Sequence, residues 1–221
     1  MTERNAVLLG ASGLVGGFCL KALVEDQQYT SVVLFGRREL PLAMTRAKVV
    51  QRVADLGSLT ANDFRGVQDV FCALGTTIKK AGSQEAFRRV DLELPLRAAT
   101  EAQKAGVEQF IVVTSVGADP AAKNFYLRTK GELEQELAKL AFKALHILHP
   151  SLLLGKRAEF RLGEALAMKI VPVLDLLALG QLRKYHSIRA EIVGRAMVGA
   201  AKQGRSGVSL YDYEGIVRLV A

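Results

Sequence analysis

The chain has 221 residues, half of them hydrophobic and 24% charged, with a formal net charge of +8. That length buries one substantial core more readily than two, and the balance of apolar and charged residues excludes disordered and fibrous classes. The basic residues fall in scattered pairs such as Arg37-Arg38, Lys79-Lys80 and Arg88-Arg89, without the long tract of a nucleic-acid-binding tail, so the charge reads as a local anion site and no nucleic-acid partner is expected.

In chain order, the opening residues mix an acid and a base and run straight into a glycine-rich turn, unlike a signal peptide. Short apolar runs rich in β-branched residues predict strands at 6–9, 31–35, 48–53, 69–73, 109–114 and 144–149. Helical spacing predicts crossovers at 14–26, 93–104 and 125–140, and this alternation implies a doubly wound parallel α/β sheet, a Rossmann arrangement. After Pro150 the pattern changes to a loop, an apolar helix at 162–179, a helical stretch at 188–203, a short strand at 208–211 and a last helix. This tail is too short to fold alone, so residues 1–221 are expected to form a single domain in which 151–221 contributes a small substrate-side cap. Glu164, Lys169, Pro172 and Asp175 interrupt the apolar stretch, which reads as a buried or partner-facing helix and not a transmembrane segment; residues 171–177 are the candidate contact for a homodimer. Cys19 and Cys72 are too few for a disulfide framework or a metal cluster and read as core thiols in a reducing compartment, with the cytoplasm as the expected location.

The first strand ends in Gly10-Ala11-Ser12-Gly13-Leu14-Val15-Gly16 and a helix follows at once. Small residues there let the backbone approach a pyrophosphate, which free N–H groups and the positive end of the helix dipole then meet. The second strand ends in Gly36-Arg37-Arg38, without the acid that would accept hydrogen bonds from an adenosine ribose. Guanidinium groups can hold a 2′-phosphate bidentately, so NADP is expected in preference to NAD. Asp55-Leu56 after the third strand are expected along the adenine, with Asp55 equally suited to cap a short helix. Ala73-Leu74-Gly75 after the fourth are expected along the ribose and pyrophosphate.

The fifth strand finishes near Thr114-Ser115, and Tyr126 and Lys130 open the next helix four residues apart, on one face. Over a cofactor, the ammonium favours a tyrosinate by proximity, so that the phenol can exchange a proton with a substrate oxygen, and Ser115 can hydrogen-bond the same oxygen. His146 and His149 have no acid or cysteine spaced for a metal and read as satisfied local histidines. His186 and the pair Lys79-Lys80 stand near the expected cleft, where binding and plain solvation both explain them.

The stretches GTTIKKAGSQEAFRRVDLELP, TSVGAD, FYLRTKGELE and HPSLLLG resemble the atypical short-chain dehydrogenase/reductase superfamily, in its small branch related to the mammalian HIV-Tat-interacting oxidoreductase and its bacterial relatives. The resemblance runs from Gly10 to Gly155. It implies a Rossmann fold, NADP binding, a Tyr126 and Lys130 pair with Ser115 as partner, and Pro150-Ser151 near the nicotinamide. In many extended members the hydroxyl comes one position later, where this chain has Val116, so Ser115 is either the partner hydroxyl or a strand-end residue. Two functions follow as expectations: an oxidoreductase acting on a small carbonyl or alcohol, or an NADP-sensing regulator that keeps the fold and signals through partners.

Overall fold

The computed structural model describes residues 3–41, 48–155 and 180–221. The expected helix at 162–179, with the candidate dimer contact at 171–177, lies outside the described residues. Along the chain the elements are β1 (Arg4–Leu9), α1 (Leu14–Glu25), β2 (Tyr29–Gly36), β3 (Val49–Val53), β4 (Asp69–Cys72), α2 (Ile78–Ala81), α3 (Gln84–Arg88), a π turn (Arg89–Glu93) and α4 (Leu94–Lys104). There follow β5 (Gln109–Val113), α5 (Phe125–Lys139), β6 (Ala144–Leu148), β7 (Leu153–Leu154), β8 (Ile188–Arg189), α6 (Ala190–Ala201), β9 (Gly207–Tyr211) and α7 (Tyr213–Arg218).

Seven strands make one parallel sheet in the order β3-β2-β1-β4-β5-β6-β9. The order reverses between β1 and β4, so a crevice opens at the carboxyl ends of those two strands, where doubly wound folds bind ligands. Because the sheet is covered on both faces, its central strands carry continuous apolar runs: residues 6–9 are fully buried, and so are Val70, Phe71 and Cys72. Alternation along β1 sends Ala6 and Leu8 into the layer packed by α1 and α6, and Val7 and Leu9 into the layer packed by α4 and α5. Each large side chain buried in this way contributes about 1.5–3 kcal/mol.

The C-terminal stretch does more than cap the sheet. Residues 207–211 pair with β6 as a seventh strand, and α6 packs on α1. The reason is visible in Val193, Ala196, Met197 and Ala200, an apolar stripe at helical spacing that is wholly buried. Among the described residues after β6, Leu153–Leu154 and Ile188–Arg189 form a separate short parallel pair, β7-β8.

At the opposite, amino edge, Asp69 is fully buried yet accepts two 2.6 Å bonds from Arg4 and one of 2.8 Å from the Tyr29 hydroxyl. His146, also fully buried, pairs through Nδ1 with the Tyr211 hydroxyl at 2.9 Å and through Nε2 with Gln109 Oε1 at 3.2 Å. His149 meets Glu134 at 2.9 Å. Both histidines are locally satisfied, as their sequence context suggested.

Candidate active site

The turn after β1 is built by absent side chains. Gly10 has φ +86°, and a Cβ there would stand 2.6 Å from the Ala73 carbonyl oxygen. A Cβ at Gly16 would stand 2.1 Å from the Gly10 carbonyl oxygen, so the turn closes onto α1 only with glycine at both positions. At the N-terminus of α1, Gly13 caps without a side-chain bond, and the first helical turn carries no acid. Its N–H groups are therefore left for an external anion, while Ser12 and Gly13 are exposed beside it. This cradle fits a dinucleotide pyrophosphate.

The remaining expected cofactor residues line up along the same edge. The Ala54 N–H donates to the Gly36 carbonyl at 3.0 Å, joining the end of β2, with exposed Arg37 and Arg38, to Asp55 and Leu56. Asp55 caps the short turn that follows, accepting the Gly57 N–H at 3.0 Å, and its other oxygen lies 3.9 Å from Arg89. Ala73 and Leu74 abut Gly10. Across β5, the Thr114 N–H donates to Leu148 at 3.0 Å and the Val116 N–H to Pro150 at 3.1 Å, which sets Pro150-Ser151 beside the Thr114-Ser115 strand end. Ser151 Oγ donates to the Tyr185 carbonyl at 2.9 Å.

Tyr126 and Lys130 lie on the first turns of α5, which Asn124 caps by accepting the Leu127 N–H at 3.1 Å. The helix is pressed onto the preceding loop: a Cβ at Gly131 would meet the Asp119 carbonyl carbon at 2.2 Å. The Tyr126 ring packs on Phe87 at 5.8 Å between centroids. Lys130 is buried, its ammonium 2.7 Å from Asp91 Oδ1, with side chains 4% and 1% exposed. Asp91 Oδ2 accepts the Thr76 N–H at 2.8 Å. Burial pushes the Asp91 carboxyl up, against the pull of Lys130 and the Thr76 N–H. Ser115 donates to the Val116 carbonyl at 3.3 Å.

Asp91, Phe87 and Thr76 escape a reading of motifs. Asp91 sits in the π turn between α3 and α4, where the Leu94 N–H reaches back to the Arg89 carbonyl. Pro95 has no N–H with which to bond the Asp91 carbonyl, so the regular ladder breaks at this point. The available signal was an acid spaced four residues from Phe87 and followed by a proline, on a helix face that is otherwise apolar.

A glycine cradle at the switch point of a parallel sheet, continued by a Tyr/Lys helix, defines a Rossmann protein built to bind a nicotinamide dinucleotide. A sequence profile described as NAD(P)H-binding matches residues 10–153, and the chain belongs to that family. It is 35% identical over 224 residues to Protein HTATIP2 of Rattus norvegicus, covering 99% of this chain and 90% of the relative. It is 36% identical over 157 residues to Protein FMP52, mitochondrial, of Saccharomyces cerevisiae, covering 70% and 68% of the two chains. Among solved structures it resembles MoeE5 in complex with UDP-glucuronic acid and NAD (TM-score 0.72, 18% identity, 94% of this chain and 75% of that one). A putative NAD-dependent epimerase/dehydratase from Bacillus halodurans matches with TM-score 0.67 and 20% identity over 98% of each chain. These structural likenesses establish the fold.

Among the described residues no group of three or more side chains is arranged for a metal ion, and no helix is long and apolar enough to cross a membrane.

Proposed function

We propose that the protein is an NADP-dependent oxidoreductase that reduces a small carbonyl or oxidises the corresponding alcohol. The observation that carries this reading is Lys130, a buried cation one helical turn from Tyr126 and against the loop that touches the glycine cradle. A buried lysine is costly to fold around and is retained where it serves a site. A bound nicotinamide supplies the hydride. Tyr126 Oη donates a proton to the substrate oxygen, Lys130 supports the resulting phenolate by its positive charge, and the Ser115 hydroxyl turns from Val116 to the same oxygen. Arg37 and Arg38, at a strand end lacking an acid, favour the 2′-phosphate of NADP over the free ribose of NAD.

The test is NADPH oxidation over a broad panel of small aldehydes and ketones, comparing the parent with Tyr126→Phe. Turnover that falls at least about a hundredfold in the variant, with dinucleotide affinity retained, is the expected result. Full turnover in Tyr126→Phe overturns the assignment of the proton donor. A parent that binds NADPH yet oxidises it with no member of the panel supports the regulator instead. The free, buried thiols Cys19 and Cys72 suit a reducing compartment, and we assign the protein to the cytoplasm, although FMP52 relatives carry a mitochondrial name.

A further inference from the structure

The proposed chemistry needs the ammonium of Lys130; it does not by itself need the carboxylate of Asp91. Yet the two meet at 2.7 Å with almost no exposure, so solvent cannot screen either charge. The second oxygen of Asp91 holds the Thr76 N–H at 2.8 Å, so one carboxylate ties the lysine to the loop after β4. Gly75 in that loop lies against both groups: a Cβ there would be in ordinary contact, 3.4 Å from Asp91 Oδ1 and 3.9 Å from Lys130 Nζ. The π turn and Pro95 that place Asp91 interrupt an otherwise continuous helix, a local cost that the ion pair and the Thr76 bond offset. Alone in a poorly screened site, an ammonium repels the cationic ring of an oxidised nicotinamide and leaves the neutral reduced ring undisturbed. A carboxylate beside it turns the isolated charge into a dipole, whose field falls off faster.

Resting on the reading of the site as a nicotinamide dinucleotide site, we propose that Asp91 is a positioning residue that balances the charge of Lys130 toward the cofactor, so that oxidised and reduced forms are held with comparable affinity. The experiment is calorimetric titration of the parent, Asp91→Asn, and the double variant Asp91→Asn/Lys130→Met with NADP+ and with NADPH near neutral pH. Asp91→Asn weakens NADP+ relative to NADPH by about tenfold, the scale of one uncompensated charge acting across several ångströms. The double variant, carrying neither charge, keeps the parent ratio within about threefold. A merely structural role for Asp91 lowers the melting temperature or moves both affinities together, and an unchanged ratio in Asp91→Asn overturns the inference while leaving the dinucleotide site standing. Should Asp91→Asn fail to fold, Asp91→Ala is titrated in its place: a relative weakening of NADP+ by about tenfold supports the inference, and an unchanged ratio contradicts it. A parent that binds neither form removes the dinucleotide reading and this inference together.

Discussion

The placement of Gly16 and of Tyr126 follows from their own immediate geometry. At Gly16 a methyl group would overlap the Gly10 carbonyl, so Gly16→Ala must open the turn away from α1. We expect it to cost about 2–4 kcal/mol of stability, read by denaturant unfolding, and to abolish dinucleotide binding in the fraction that folds. Such placements were legible because they depend on neighbours in sequence: the glycines follow one strand directly, and Tyr126 and Lys130 share a helix face by spacing alone. Asp91 was not legible in the same way. It meets Lys130, 39 positions further along the chain, only after α3, the π turn and α4 have packed on α5, and no local pattern encodes that encounter.

Between elements, two helices are matched side chain to side chain. Phe87 and Asp91 on one face Tyr126 and Lys130 on the other, while Arg88 pairs with Glu132 at 2.6 Å. Phe87 is fully buried, and Phe87→Ala is expected to cost about 3–5 kcal/mol and to lower turnover by loosening Tyr126. Pro95 permits a sharper test. Pro95→Ala restores an N–H that can bond the Asp91 carbonyl, so the π turn relaxes and draws Asp91 from Lys130, and a helical gain of about 1–3 kcal/mol is set against the loss of the buried pair. The expected outcome is NADP+ weakened relative to NADPH, as in Asp91→Asn, read by calorimetric titration; an unchanged ratio would show that the π turn is incidental. The periodicity placed a helix at 93–104, whereas the chain is already helical from Gln84, after Ser83 caps by accepting the Ala86 N–H at 3.0 Å. The proline hid this start, because it reads as a first-turn residue. For the strands, by contrast, apolar runs bounded by turn residues sufficed, and observed boundaries fall within two residues of expectation along β1 to β6.

The whole molecule separates stability from binding along the strand direction. Asp69 lies at the amino edge, so Asp69→Asn, which strands the half-buried Arg4 and the buried Tyr29, is expected to cost about 3–5 kcal/mol without altering dinucleotide affinity. His146 gives the fold a pH dependence. Burial first, and then the charge of Arg205, push its imidazole from 6.5 down to about 4. The unfolded chain takes up this proton near pH 6.5 and the folded chain only near pH 4, so the contribution is complete above 6.5 and is lost as pH falls through that window. The loss is roughly 3 kcal/mol, and His146→Gln is expected to flatten it in urea unfolding measured from pH 7 to 4. At the carboxyl edge, the cradle proposed here for one dinucleotide draws on six strand ends, those of β1 to β6. Calorimetric titration with NADPH and NADH, on the parent and on Arg37→Ser/Arg38→Ser, tests that claim most directly. The account predicts that the parent binds NADPH at least about tenfold more tightly than NADH and that the double variant loses this advantage while still binding NADH; heat and thermal protection absent with both dinucleotides would contradict it.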